Sequence, residues 1–168
     1  MDDATGMPGA RVIGLISDTH GLVRPEVFGA LAGVDLIIHA GDVGGEDVLV
    51  ELEAIAPVHA VYGNTDPVGH PRLVEAIERD IDGVSIHVSH GHEVGRPTPA
   101  RLVDAYAADV IVYGHTHRQL VARVPDLAGR ERLVVNPGAA GARRFDLVPC
   151  VARLTITGGR AEVELVEL

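Results

Sequence analysis

Seven residues in five short clusters carry the side chains that could do chemistry in this chain: Asp18 and His20, Asp42, Asn64, His90, and His115 with His117. Each cluster follows an apolar run. Arg11–Ile16 leads into Asp18-Thr19-His20, Val34–His39 into Gly41-Asp42, and Pro57–Tyr62 into Gly63-Asn64-Thr65-Asp66. Val84–Ser89 ends at His90-Gly91-His92, and Asp109–Tyr113 at Gly114-His115-Thr116-His117. Imidazole, carboxylate and one amide oxygen, without a thiolate, suit borderline first-row metals such as Mn, Fe, Ni or Zn better than Ca or Mg. In extended backbone, residues two apart face the same way at about 6–7 Å. The spacing therefore predicts that Asp18 and His20 reach one centre, and that His115 and His117 either clamp one ion or divide between two. Gly41, Gly63 and Gly114 stand just before ligands, where sharp turns and close backbone approach are needed.

The elements that must position these clusters follow from hydrophobic periodicity. The five apolar runs are rich in Val and Ile and read as strands. Helical patterns at Pro25–Ala32, Gly45–Ile55 and Thr98–Ala107 alternate with them, the first with Pro in its opening turn. Such alternation predicts a parallel sheet, whose strand C-termini share one rim where sites form. The second half is strand-rich. Leu73–Ile81 and Val84–Ser89 flank Asp82-Gly83, a hairpin signal. Gln119–Val124, Arg132–Val135, Cys150–Thr157 and Arg160–Val166 read as further strands, the last two turning at Gly158-Gly159. That excess predicts two packed sheets with helices outside. Residues 1–10, small and polar, read as a disordered tail, and 11–168 as one domain.

Composition narrows the chemistry. A length of 168 residues suits one ordinary domain. The formal net charge of −10 argues against a nucleic-acid polymer or an anionic membrane as main partner. All 14 basic residues are Arg, which removes Schiff-base chemistry, pyridoxal attachment and a P-loop lysine. Cys150 is the single cysteine, so neither a disulfide framework nor a thiolate zinc site is available. It fits a reducing, cytoplasmic setting. No secretory signal and no run of transmembrane length is visible.

These motifs, in order and over nearly the whole chain, resemble the calcineurin-like metallophosphoesterase superfamily. The small size and the Asn136-Pro137-Gly138 turn are similar to its compact bacterial and archaeal phosphodiesterase subgroup. The resemblance implies an α/β fold, a four-layer αββα sandwich of two mixed β-sheets flanked by helices. It implies two divalent ions per chain, Mn or Ni favoured over Fe or Zn. Asp18, His20, Asp42 and His117 would bind the first, and Asp42, Asn64, His90 and His115 the second. Asp42 would bridge both, and Asp42, Asn64 and His90 would be the catalytic positions. Two cations about 3.5–4 Å apart need an anionic oxygen between them, and a water shared by both becomes hydroxide near neutral pH. That hydroxide would attack phosphorus in line with the leaving group. The expected partner is a small phosphate ester, and the resemblance suggests a homodimer or homotetramer.

One departure bears on substrate. Many superfamily members carry His after the Asn, where this chain has Thr65, which cannot act as an acid at neutral pH. Diesters with good leaving groups are therefore expected over monoesters. A phosphomonoesterase acting on nucleotides or sugar phosphates is the enzymatic alternative. Retromer's scaffold subunit, similar in fold but with an altered ligand set, supplies a non-catalytic one. His92 reads as support beside the ligands or a replacement acid, and Asp66 as a partner for a ligand His or a turn residue. His39 reads as a packed, hydrogen-bonded His, while His59 and His87 are structural or surface positions and His70 lies in a loop. Arg143 and Arg144 could contact substrate phosphate, although adjacent loop arginines in an acidic chain are more often solvated.

Overall fold

A computed structural model describes residues 9–168. The tail expected over residues 1–10 therefore lies, up to Pro8, outside the described residues. The chain forms β1 (Arg11–Ile16), α1 (Glu26–Ala30), β2 (Leu36–His39), α2 (Glu46–Glu53), β3 (Val58–Val61), β4 (Leu73–Val74), β5 (Ile77–Ile81) and β6 (Val84–Val88). After a 3₁₀ turn at His92–Val94 come α3 (Pro99–Ala105), β7 (Val110–Val112), β8 (Leu120–Pro125), β9 (Glu131–Asn136), β10 (Cys150–Thr157) and β11 (Arg160–Glu167). Helix α3 opens as its sequence dictates: Thr98 caps it by accepting the Arg101 N–H, and Pro99 fills a position that needs no donor.

Two mixed sheets result. The six-stranded sheet runs β11-β10-β1-β2-β3-β4, with β1 to β4 parallel and β10 and β11 antiparallel to their neighbours. The five-stranded sheet runs β5-β6-β7-β9-β8, with β6, β7 and β9 parallel between antiparallel edges. Strand alternation sorts the apolar residues into three layers of core. Ile13, Leu15, Ile38, Ile86, Val112 and Leu154 meet between the sheets. Val27 of α1, Leu31 just after it, and Leu49 and Leu52 of α2 cover the outer face of the first sheet. Leu102 and Val103 of α3 cover Ile111 and Val134 of the second. Each fully buried aliphatic contributes roughly 1.5–3 kcal/mol. The architecture is the four-layer αββα sandwich.

One expected strand is divided. Leu73–Ile81 splits into β4, parallel to β3 in the first sheet, and β5, the hairpin partner of β6 in the second. The cause is visible in its anchors. Leu73 packs in the core under α2, whereas Ile77, four residues on, packs between the sheets. No single strand can serve both. The hairpin turns where expected, with Asp82 and Gly83 at φ of 48° and 84°. No helix among the described residues is long and apolar enough to cross a membrane.

Candidate metal centre

The C-terminal ends of β1, β2, β3, β6, β7 and β9 lie on one rim, so residues 18 to 136 converge there. Backbone bonds continue past the strand ends and tie the loops together. Asp18 N–H donates to Gly41 O at 3.0 Å, His20 N–H to Asp42 O at 3.0 Å, and Gly114 N–H to His90 O at 3.0 Å.

Ligand atoms of Asp18, His20, Asp42 and His117 lie within 4.8 Å of one another. Asp18 is buried; its Oδ2 accepts from Ser17 Oγ at 2.6 Å and from the His115 N–H at 3.2 Å. Its Oδ1 is buried with no hydrogen-bond partner among the described residues, 3.2 Å from His117 Nε2. A buried, unpartnered carboxylate oxygen is costly, and a cation resolves that cost. A second convergence stands beside the first. Asn64 Oδ1 lies 3.0 Å from His90 Nε2 and 3.0 Å from His115 Nδ1, and His90 Nε2 lies 3.3 Å from Asp42 Oδ2. His90 Nδ1–H donates to Ala40 O at 2.8 Å, which turns Nε2 toward those oxygens: protonated, it donates to Asp42, and deprotonated, it offers its lone pair to a cation. Carboxylate, amide and imidazole atoms converging this way fit a shared cation. Both sheets contribute to each group: Asp18, His20, Asp42 and Asn64 from the first, His90, His115 and His117 from the second.

The local backbone differs from the extended pairing expected. Asp18, His20, Asp42, His115 and His117 all occupy the left-handed region, with φ of 53°, 45°, 53°, 69° and 61°. Left-handed backbone, and not strand alternation, brings the Asp18/His20 and His115/His117 side chains inward. This conformation is unfavourable for residues with a Cβ and clusters at functional sites. The preceding glycines act by close approach. A Cβ on Gly63 would collide with Asp42, and one on Gly114 with Ser17 and Asp18.

Electrostatics follow from burial and charge. Burial alone would raise the Asp42 carboxyl, but hydrogen bonds from His90 and from the Thr65 N–H, at 2.9 Å, hold it far below its ordinary range. Burial pulls His90 down, while its bond to Asp42 and the Asp18 charge outweigh that and raise it. His20 and His115 are lowered, chiefly by burial. His39 is fully buried and lowered to about 4, chiefly by burial. Its Nδ1 accepts the Gly41 N–H at 3.2 Å, so Nε2 carries the proton and donates to Thr19 Oγ1 at 2.9 Å, which donates to Val43 O at 2.7 Å. His39 thus props the loops that carry Asp18 and Asp42 from below, as a hydrogen-bonded His.

The remaining candidates divide. Thr65 holds the Asp42 carboxylate through its N–H. Asp66 touches no ligand His. Its buried carboxylate accepts the N–H groups of Val43, Gly44 and Gly63 at 2.9–3.0 Å, stapling the loop after β2 to the loop after β3. His92 lies beside the second group, its ring centroid 5.4 Å from His90 and 6.3 Å from His115. Its Nδ1 is buried without a partner among the described residues. His87 is buried and stacked on Tyr106 at 3.6 Å, away from the ligands, and His59 is exposed on β3 beside Arg79. Sequence reasoning missed the work of Asn136. Its Nδ2 donates to Gly114 O and Thr116 Oγ1, both at 3.0 Å, and so fixes the loop that carries His115 and His117. Asn-Pro-Gly directly after an apolar strand was the available signal.

The calcineurin-like phosphoesterase superfamily domain matches residues 12–159. A probable metallophosphoesterase of Methanothermobacter thermautotrophicus is 34% identical, over 92% of this chain and 91% of its own. A phosphodiesterase of Methanocaldococcus jannaschii is 31% identical, over 75% of this chain and 82% of its own. Among solved structures, Vps29 of Entamoeba histolytica in complex with zinc aligns with a TM-score of 0.72 at 22% identity, covering 93% of this chain and 98% of that one.

Proposed function

The chain belongs to the calcineurin-like phosphoesterase superfamily, and on that premise we propose that it is a dinuclear metal-dependent phosphodiesterase. The observation that carries this reading is the Asp18 Oδ1, unpartnered among the described residues, beside His20, Asp42 and His117, with a second convergence of Asn64, His90 and His115 alongside. Asp18, His20, Asp42 and His117 would hold one ion, and Asp42, Asn64, His90 and His115 the other. Bound there, two divalent ions supply Lewis acidity and a lowered water pKa. Manganese or nickel is the proposed occupant, given imidazole, carboxylate and amide donors.

The chain's own groups set the rest. Asp42, kept ionised by His90 and Thr65, offers one carboxylate between the two groups. Asn64 is a neutral donor, which leaves the second ion more Lewis acidity than a carboxylate would. Thr65, exposed beside Asn64, provides no acid to a poor leaving group. This supports diesters with good leaving groups over monoesters. The name of the Methanocaldococcus jannaschii relative points the same way.

The test compares turnover of bis(4-nitrophenyl) phosphate and 4-nitrophenyl phosphate by metal-stripped protein reloaded with manganese. Faster diester cleavage is expected; faster monoester cleavage overturns the diesterase reading in favour of a phosphomonoesterase. At 22% identity the likeness to Vps29 extends to the fold alone. Because that Vps29 structure holds zinc, metal content does not separate a non-catalytic assembly role from catalysis. Turnover does: its absence with every metal supports the assembly role.

A further inference from the structure

The 142–149 loop lies against the first group of ligands. Arg143 and Arg144 line one cleft with His117, Ala139 and Pro149. The stem of the loop is tied to the metal-binding backbone: Ala140 N–H donates to Ser17 O at 2.9 Å, Gly141 N–H to Asp18 O at 3.3 Å, and Arg24 Nε–H to Gly141 O at 2.8 Å. A Cβ on Gly141 would run into the backbone of Thr19, so this approach is specified by the sequence. A turn follows, closed by the Leu147 N–H on Arg144 O at 3.1 Å. Inside that turn Phe145 sits at φ 54°, left-handed and 94% exposed. An exposed aromatic residue held there is strained backbone of the kind found at ligand clamps.

Arg143 and Arg144 have no ion-pair or side-chain hydrogen-bond partner among the described residues. Elsewhere, Arg72 pairs with Glu53, Arg130 with Asp109, and Arg132 with Asp126. Charge balance then restricts the substrate. Two divalent ions against the carboxylates of Asp18 and Asp42 leave two positive charges. A hydroxide nucleophile and the single negative charge of a phosphodiester neutralise both. Guanidinium charge at the edge of that site is surplus for a simple diester, and guanidinium is suited to phosphate or carboxylate recognition.

We propose that Arg144, with Arg143 beside it, is a specificity-determining cation that binds a second anionic group, a phosphate or a carboxylate, carried by the substrate next to the scissile phosphodiester. This rests on the phosphodiesterase reading above and narrows its substrate class. A groove of about 420 Å³ adjoins on the same side, bordered by His117, Arg118, Leu120 and Leu147 and by the carboxylates of Asp146 and Glu167, a lining that suits a neutral or cationic remainder of such a substrate and not a third anion.

The experiment is calorimetric binding to the manganese-loaded full chain, with metal content measured after each titration. Methylphosphonate carries one anionic group, phosphonoacetate adds a carboxylate, and methylenediphosphonate adds a second phosphonate. The native chain is expected to prefer one or both two-group ligands by about tenfold or more, as charge-assisted bonds to Arg provide. Whichever is preferred identifies the second anion. Arg144→Gln, or the double substitution with Arg143→Gln, should collapse that preference to within about twofold. Arg160→Gln, at the far end of the sheets, should leave it unchanged. The proposal is overturned if the native chain shows no preference, or if the preference survives removal of both arginines. Its failure is distinguishable from failure of the underlying reading. A chain that cleaves the activated diester and binds methylphosphonate but shows no arginine-dependent preference loses this inference alone. A chain that neither cleaves an ester nor binds methylphosphonate loses both.

Discussion

Both ends of the strands are polar, and they handle polarity in opposite ways. At the end away from the ligands, Asp109 Oδ2 accepts from Ser85 N–H and Oγ–H, each at 2.9 Å, and its other oxygen meets Arg130. Arg132 donates to Ala107 O and to Asp126, both at 2.9 Å, and Asp126 Oδ1 accepts the N–H groups of Ala128 and Arg130. These charges satisfy one another. At the ligand end carboxylates converge with imidazoles and an amide oxygen and no arginine, leave Asp18 Oδ1 without a partner among the described residues, and sit largely on left-handed backbone. The far end is complete as protein, whereas the ligand end, on the proposed reading, is completed by cations. Residue type alone does not distinguish structural from chemical polarity; satisfaction does.

Substitutions can break or sharpen this contrast. The largest effect is expected at the ligand end: Asp42→Ala or His90→Ala should lower metal-dependent diester turnover by at least about a thousandfold while the circular dichroism spectrum stays native. Wild-type turnover in either variant would show that the ligands are wrongly identified. Next, metal at a hundred times its Kd should stabilise the protein by about 3 kcal/mol in denaturant titration. Asp18→Asn, which keeps the shape but not the charge, should lose that increment.

Between the two ends in character lies His39, buried, neutral and satisfied although it abuts the metal loops. Burial and the His90 charge lower its pKa, against the upward pull of Asp18, Asp66 and Asp42. Below its ordinary pKa of 6.5, the unfolded chain binds a proton that the folded ring refuses until about pH 4. Stability should therefore fall as pH drops through this window, with His39 accounting for about 2 kcal/mol between pH 7 and pH 5. Urea midpoints of metal-free protein should show a smaller pH dependence in His39→Gln. An unchanged dependence would assign the loss to other groups. The smallest effect belongs to the far end. Arg132→Ala should cost about 1 kcal/mol for the donor lost at the Ala107 carbonyl, measurable as a lower melting temperature, with kcat unaltered.

Much of this was legible in the amino-acid sequence because the determinants are local. Val/Ile runs marked β1, β2, β3, β6 and β7 to within two residues at either end, and β10 was read over its full length. Glycine before Asp42, Asn64 and His115 announced close approach. What escaped reading depends on groups far apart in the chain. The split of Leu73–Ile81 follows from which core each anchor enters. The staple made by Asp66 depends on amides 22 and 23 residues earlier. Left-handed φ at five ligand positions is imposed by bonds between loops; Asp and His enter that region more readily than most residues with a Cβ, but it remains a minor conformation for them, so propensity does not point to it.

The division of the ligands between two sheets has a consequence for how the protein should be handled. Every ligand from Asp18 to Asn64 belongs to one sheet, and every ligand from His90 to His117 to the other, so no fragment containing a single sheet can assemble either half of the centre. Metal affinity is therefore a gauge of sheet-to-sheet registry. Loss of metal in a variant whose ligands are all intact would report a slipped sandwich and not a damaged site.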